Sequence, residues 1–522
     1  MRALGDTLSL LLAVRRVPLL SPTAHAHLPS APALALARPL VAALDHESAA
    51  RDEAPVPAAA DPDRPPSEQV PEVEPHTRAL KPAAIPRTRL GRLYEYGTLA
   101  AGVGAGMVTE AIRRAAGASS TPDTSLAFSG PNVERIVAKL SKMRGAALKM
   151  GQMISIQDNK MVPPEIEAIF RRVHDSANYM PQWQLEGVLK QELGAKWADK
   201  FAEFDMVPIA AASIGQVHRA VLHSGQTVAV KVQYPGVADS ISSDLANLKS
   251  ILLLGSMLPK GLYLDNSIRV AAIELALECD YKREAASIDR FGELIVSSGL
   301  KGVRVPKVFH EVSTARVLAT EFVPGLPIDK AALLDQRTRN EIAESLFRLC
   351  LLELFRFRFM QTDPNWSNFL YDAKARQLNL IDFGASREFP KQFTDDYLRL
   401  LQASSVGDKQ GCLEYSRKLG FLTGFESATM NAAHINSLQL LSLPFMANGP
   451  AVYDFRNASD ITQKVRSEIP VMLRERLTPP PEESYSLHRK LSGCFLLCNK
   501  LGAQIRCRDI FQETVRSYKF DS

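Results

Sequence analysis

Apolar and polar residues alternate most clearly in three short runs, Val217–Leu222, Val228–Gln233 and Val317–Phe322. Period-two patterning predicts half-buried strands, here of one sheet that begins near Val207. A further strand-like run, Gln377–Ile381, lies downstream. Elsewhere the pattern is helical. Residues 118–205 read as mostly helical, with Pro163-Pro164 opening one helix, Pro181 another, and Trp183 and Trp197 as anchors. An acidic helical run is expected over Glu274–Glu284 and a long apolar helix over Arg339–Phe359. Past Phe389 the chain reads as helical, ending in Ser486–Leu501 after the helix-opening run Pro479-Pro480-Pro481-Glu482-Glu483. A hinge at Glu321-Phe322-Val323-Pro324-Gly325 divides this pattern into two lobes, 206–325 and 326–522, the second with a helical tail. The expected fold class is α+β.

Composition changes this picture little. A chain of 522 residues, 46% hydrophobic, is long enough to bury a two-lobed core and carry extensions. A net charge of +5 is too mild to point to a nucleic-acid partner. The six cysteines are scattered, and no two pairs have metal-ligand spacing, so they read as reduced packing residues. His434 and His488 also fall outside any ligand spacing and read as structural.

The first third carries an address. Residues 1–44 contain Arg2, Arg15, Arg16 and Arg38, no lysine and a single acid, Asp6, which is the signature of a mitochondrial transit peptide. A secretory signal fits less well, because Arg15-Arg16 interrupts the apolar run Leu8–Val14. Residues 45–88, rich in Pro, Glu, Asp and Ala, read as a disordered linker. Residues 89–117 read as a Gly-rich, membrane-associated helix, with Gly102 and Gly106 forming a Gly-x-x-x-Gly that permits close helix approach. Its uncharged stretch, Gly97–Val108, falls short of the roughly 20 residues that span a bilayer, and Glu110 ends it. By composition alone it is a linker or an interfacial helix.

The chemistry is concentrated in 361–384. Asp363 precedes Asn368, and Asp382 opens an Asp-Phe-Gly after the strand-like run. An aspartate that orients a nucleophile, followed by an amide and a carboxylate that both ligate Mg²⁺, is the catalytic half of a phosphoryl-transfer site. Alone, each residue would read as a cap or turn residue. Upstream, Val228-Ala229-Val230-Lys231 places a lysine on a strand, where it can reach phosphates. Before it runs a small-residue loop, Ala210, Ala211, Ala212, Ser213, Ile214, Gly215, Gln216 and Val217. Alanine avoids the positive-φ conformations that glycine permits, so this loop is stiffer than a glycine-rich one. With Lys231 and the hinge residues Glu321 and Val323, it forms the expected nucleotide-binding set. Lys231 needs an acidic partner, which the Glu274–Glu284 run can supply.

Together these motifs resemble the UbiB family of aarF-domain-containing atypical kinases, over about residues 90 to 520. The segment Lys149-Met150-Gly151-Gln152 matches that family's Lys-x-Gly-Gln motif, 210–216 its alanine-rich loop, and Glu278-Cys279-Asp280 its Glu-x-Asp pair. The resemblance implies a bilobal protein-kinase-like fold with a helical N-terminal extension, 118–205, packed over the active site. It implies catalytic Asp363, Lys231 and Glu284, with Glu284 as the lysine's partner, metal ligands Asn368 and Asp382, and regulatory Lys149, Gln152, Glu278 and Asp280. The implied cofactors are ATP or ADP with Mg²⁺. The implied setting is the matrix side of the mitochondrial inner membrane, in support of ubiquinone biosynthesis. The partners implied there are membrane lipid or quinone precursors, other coenzyme Q proteins and a second copy as a homodimer. Lys149 is expected to reach the Glu278/Asp280 pair or the nucleotide phosphates, because a buried lysine needs such a partner.

Departures from ordinary protein kinases narrow the chemistry. Gln361-Thr362 stands where His-Arg precedes the catalytic aspartate, which removes the arginine that answers an activation-loop phosphate. No Ala-Pro-Glu follows Asp382-Phe383-Gly384. ATP hydrolysis is therefore expected over phosphorylation of protein substrates. The alternatives are a kinase for a small lipid-like molecule and a nucleotide-sensing pseudokinase scaffold.

Overall fold

The computed structural model describes residues 81–521, apart from 117–125, 146–147, 150–167, 170–171, 174–177 and 254–263. The expectations over residues 1–80, for Gln152 and for Pro163-Pro164 lie outside the described residues. The chain enters through β1 (Lys81–Pro82), which pairs in parallel with β2 (Asn178–Tyr179). Between them lie α1 (Arg89–Ala115), capped by Thr88, and α2 (Gly130–Met143); α3 (Gln182–Leu193) follows β2. Trp197 is buried, but Trp183 is 57% exposed beneath the Arg87 guanidinium and is not the expected anchor.

The N-lobe sheet is built from β3 (Glu203–Phe204), β4 (Ala210–Ala211), β5 (Gly215–Val221), β6 (Thr227–Gln233) and, past β7 (Val303–Arg304), β8 (Val317–Glu321). Its order is β3-β5-β6-β8, with β4 also pairing β5, and every pair is antiparallel. In β6, Val228, Val230 and Val232 face the core, which turns Lys231 to the opposite face. Three helices hang beside the sheet: α4 (Val237–Leu253), α5 (Leu264–Glu278) and α6 (Tyr281–Ser298). The acidic run read as one helix is thus broken between Glu278 and Tyr281. Asp280 ends it by capping α6, its Oδ1 accepting from Arg283 N at 3.1 Å.

The C-lobe begins with β9 (Leu326–Pro327) and α7 (Gln336–Leu352). The expected helix to Phe359 stops short. Glu353–Phe357 winds as a π-helix, and Arg358 takes a left-handed conformation (φ 50°) before β10 (Phe359–Gln361). β11 (Phe369–Asp372) and β12 (Gln377–Leu380) form an antiparallel hairpin, and β13 (Ser386–Glu388) returns to pair with β10. The helices α8 (Lys391–Ser405), α9 (Lys409–Lys418), α10 (Ala428–Ser442), α11 (Ser459–Glu475), α12 (Glu482–Lys500) and α13 (Cys507–Ser517) complete the lobe.

Among the described residues, no helix is long and apolar enough to cross a membrane. The Gly-x-x-x-Gly of α1 faces inward: a Cβ at Gly106 would overlap Asn132 of α2, and one at Gly102 would touch Arg135 at 3.6 Å. These glycines therefore let α2 approach within the same chain. The other side of α1 leaves Leu90, Leu93, Tyr94, Val108 and Ile112 exposed.

A buried ion pair anchors α1. Arg92 Nη2 lies 2.5 Å from Asp244 Oδ2 on α4, and both side chains are almost wholly excluded from solvent. The same Nη2 donates to Met143 O at 2.9 Å, where α2 ends. Removing one partner strands a buried charge, so Arg92→Met or Asp244→Leu alone should cost about 3–5 kcal/mol in guanidinium unfolding. The double variant should recover most of that loss, which a merely local packing role for either residue would not allow.

Candidate active site

The upper half of the site is the β4–β5 hairpin. Ala210 and Ala211 form β4, Ala212 N donates to Gly215 O at 2.8 Å, and Val217 lies opposite Lys231 in the ladder. The extension holds this hairpin from outside. Arg144 Nη2 donates to Ala212 O and Gly145 N to Ser213 O, each at 3.0 Å. Both donors have positive φ (50° and 57°), and a Cβ at Gly145 would come within 2.8 Å of Val237. Ile214 is buried, its carbonyl accepting from Tyr234 N. Gln216 turns into the interior rather than to the cleft. Its Oε1 accepts from Met180 N at 2.8 Å, and its Nε2 meets His218 Nε2 at 2.9 Å.

Lys231 joins the lobes. Its Nζ lies 2.9 Å from Glu284 Oε1, on α6, and 3.1 Å from Asp382 Oδ2. Burial works against the ammonium, yet Asp382 and Glu284 hold its pKa well above the ordinary value. Glu321, at the end of β8, pairs through its side chain with Arg304 at 2.6 Å, and Val323 is buried where the chain passes between lobes.

The catalytic loop is tied to the segment after Asp382. Thr362, at the position of the absent arginine, bonds Ala385 O through both its amide and its hydroxyl. Ile381 N donates to Asn368 O at 3.0 Å, which sets Asn368 beside Asp382. Asn368 is buried with its Nδ2 unpartnered among the described residues, while the Asp382 side chain is one-third exposed. The side-chain carbonyl of Asn368 and the carboxylate of Asp382 are hard oxygen donors of the kind that fit Mg²⁺. Arg283 of α6 donates to Gly384 O and Ser386 O, so the same helix that carries Glu284 grips this segment.

Lys149 lies on the Asp363 side of the site. Its ammonium is buried 2.5 Å from Glu278 Oε1 and 3.2 Å from Asp363 Oδ2. Asp280, capping α6, is not among its partners. Burial would raise the Asp363 pKa, but Lys149 and Arg489 outweigh it and hold that carboxyl below the usual range. Burial prevails at Glu278, whose pKa is pushed up despite Lys149. Glu274, one turn before Glu278, takes Arg489 of α12 at 2.7 Å.

The helix expected over Ser486–Leu501 is present as α12 (Glu482–Lys500), but its part in the site was not foreseen. Beyond Arg489, Lys490 Nζ donates to Gln361 Oε1 at 2.9 Å and lies 3.6 Å from Glu353, whose carboxyl burial pushes up to about 7. Glu353 in turn accepts from Gln361 N, so the π-turn, α12 and the catalytic loop share one buried polar node. Gly493 abuts Pro364, next to Asp363, and a Cβ there would overlap the proline ring. A glycine and an Arg-Lys pair within an apolar helical run were the signals available in sequence.

Comparison with known proteins places this geometry among relatives. The ABC1 atypical kinase-like domain profile matches residues 172–416. The chain is 48% identical over 441 residues to the mitochondrial atypical kinase COQ8B of Rattus norvegicus, covering 83% of this chain and 82% of that protein. It is 47% identical over 440 residues to the mitochondrial atypical kinase COQ8 of Saccharomyces cerevisiae, with 84% and 87% covered. Among solved structures, the Rv3197–erythromycin complex from Mycobacterium tuberculosis superposes with a TM-score of 0.51 at 22% identity, over 73% of this chain and 95% of that one. That likeness is one of fold.

Two substitutions test the site's construction. Lys149→Met leaves Glu278 and Asp363 buried without their cation, a loss of about 3–5 kcal/mol at neutral pH. Glu278, with its raised pKa, is the first of the two to take up a proton on acidification. The deficit in thermal stability should therefore shrink as pH falls. A constant deficit between pH 8 and pH 5 would show that these charges are not what Lys149 neutralises. Gly493→Ala should shift the loop at Pro364, slowing nucleotide turnover while MgADP affinity stays unchanged.

Proposed function

Because the chain belongs to the ABC1 family of atypical kinases, we propose that it binds Mg-ATP between its lobes and hydrolyses it in support of coenzyme Q biosynthesis. One observation carries the preference for hydrolysis: the buried Lys149 ammonium lies between Glu278 and Asp363, where the acceptor of a protein kinase would enter. Bound nucleotide would sit under the β4–β5 hairpin, with Lys231 drawn to its phosphates and the base against the hinge at Val323. Asn368 and Asp382 would hold Mg²⁺, which supplies charge stabilisation on the transferred phosphoryl group. Asp363 would orient a water or an acceptor hydroxyl. Held below the usual carboxylate range by two cations, it is a weak proton acceptor and better suited to orientation.

The regulatory role falls to Lys149 with Glu278, and Arg489 with Glu274 forms a second tie of the same kind. The exposed apolar side of α1 supports contact with the matrix face of the mitochondrial inner membrane, with a homodimer as the further possibility for that side. The mitochondrial names of the relatives agree with that compartment.

The full-length chain, given labelled ATP, Mg²⁺ and membranes containing quinone precursors, should release phosphate without labelling lipid. Asp363→Asn, which loses the charge that orients the nucleophile, should slow that release by roughly 10²-fold. A labelled lipid would establish a small-molecule kinase instead. Nucleotide binding without turnover, indifferent to Asp363→Asn, would leave a pseudokinase scaffold.

A further inference from the structure

Tyr281 opens α6 one turn before Glu284 and is completely buried. Its ring lies beneath Lys231, with Nζ 5.1 Å from the centroid. Its hydroxyl points up under the alanine-rich hairpin, where a Cβ on Gly215 would come within 2.7 Å of it. That hydroxyl has no hydrogen-bond partner among the described residues. A buried donor left unmade is costly, and native structures keep few of them without a reason. Gly215 thus has a purpose other than phosphate approach: only a residue without Cβ leaves room for Tyr281 and the Val232 carbonyl.

One backbone donor of the hairpin is spent within it. Ala212 N is committed to Gly215 O, so the amide that a more open loop would turn toward phosphate is already bonded. A donor from another element would make up for it. We propose that the Tyr281 hydroxyl is a phosphate-binding donor, which hydrogen-bonds a terminal phosphate oxygen of the nucleotide held at Lys231. The assignment rests on the nucleotide-binding reading above. Burial holds the phenol well above its ordinary pKa, so it remains a donor at physiological pH.

The test is calorimetric titration of the full-length chain and of Tyr281→Phe with MgADP, MgATP and adenosine. The variant removes one oxygen that has no partner in the ligand-free protein, so its melting temperature without ligand should not fall. Its affinity for MgADP and MgATP should drop roughly tenfold or more, the usual worth of a hydrogen bond to a charged group, with adenosine binding unchanged. Wild-type affinity of the variant for both phosphorylated nucleotides would overturn the assignment. So would an equal loss for adenosine accompanied by a lower melting temperature, which would make Tyr281 a packing residue. If the wild-type chain bound none of the three, the nucleotide-binding reading would fail and take this assignment with it.

Discussion

A lysine ammonium buried from water must be matched by negative charge, and Lys149 finds two carboxylates that belong to different parts of the molecule. Glu278 comes from the end of α5 in the upper lobe, and Asp363 from the catalytic loop of the lower one. A side chain of the N-terminal extension therefore holds both lobes at the point where phosphoryl transfer would occur. The extension must then be held in place, and three contacts do this. Arg92–Asp244 fixes α1 to α4, Arg144 and Gly145 clasp the alanine-rich hairpin, and Met180 bonds the buried Gln216.

Helix α12 completes the enclosure from below. Arg489 neutralises Glu274 as Lys149 neutralises Glu278, and the two glutamates, one turn apart, present one face of α5 to cations from opposite ends of the chain. Lys490 bonds Gln361 and Gly493 abuts Pro364, so α12 constrains the loop that carries Asp363. Such an arrangement favours a closed site with few degrees of freedom. It suits hydrolysis or a small acceptor better than the docking of a protein substrate, in line with the proposed ATPase.

Motifs made of neighbouring residues were legible because their function is local. The Lys231 strand has a period of two, and Asp363, Asn368 and Asp382 keep a spacing set by a short hairpin. The helix over Glu274–Glu284 was misjudged because its break depends on Asp280 capping α6, and an aspartate in a charged helical run looks the same with or without that role. The helix ending at Phe359 was misjudged because periodicity cannot distinguish an α-turn from the π-turn at Glu353. The glycines of α1 were read as permitting close helix approach, and the helix that approaches is α2 of the same chain, a choice that spacing cannot show.

The order of motifs along the chain was enough to give the kinase-like fold, a candidate phosphoryl-transfer set and the family they resemble. These follow from periodicity and short-range spacing, which a linear reading preserves. Folding alone chose Glu278 and Asp363 over Asp280 for Lys149, brought Arg489 and Lys490 beneath the catalytic loop, and set Tyr281 against Gly215. Those contacts join residues far apart in sequence. They are selected by the need to pair buried charge and fill space, a constraint that exists only once the chain has been packed.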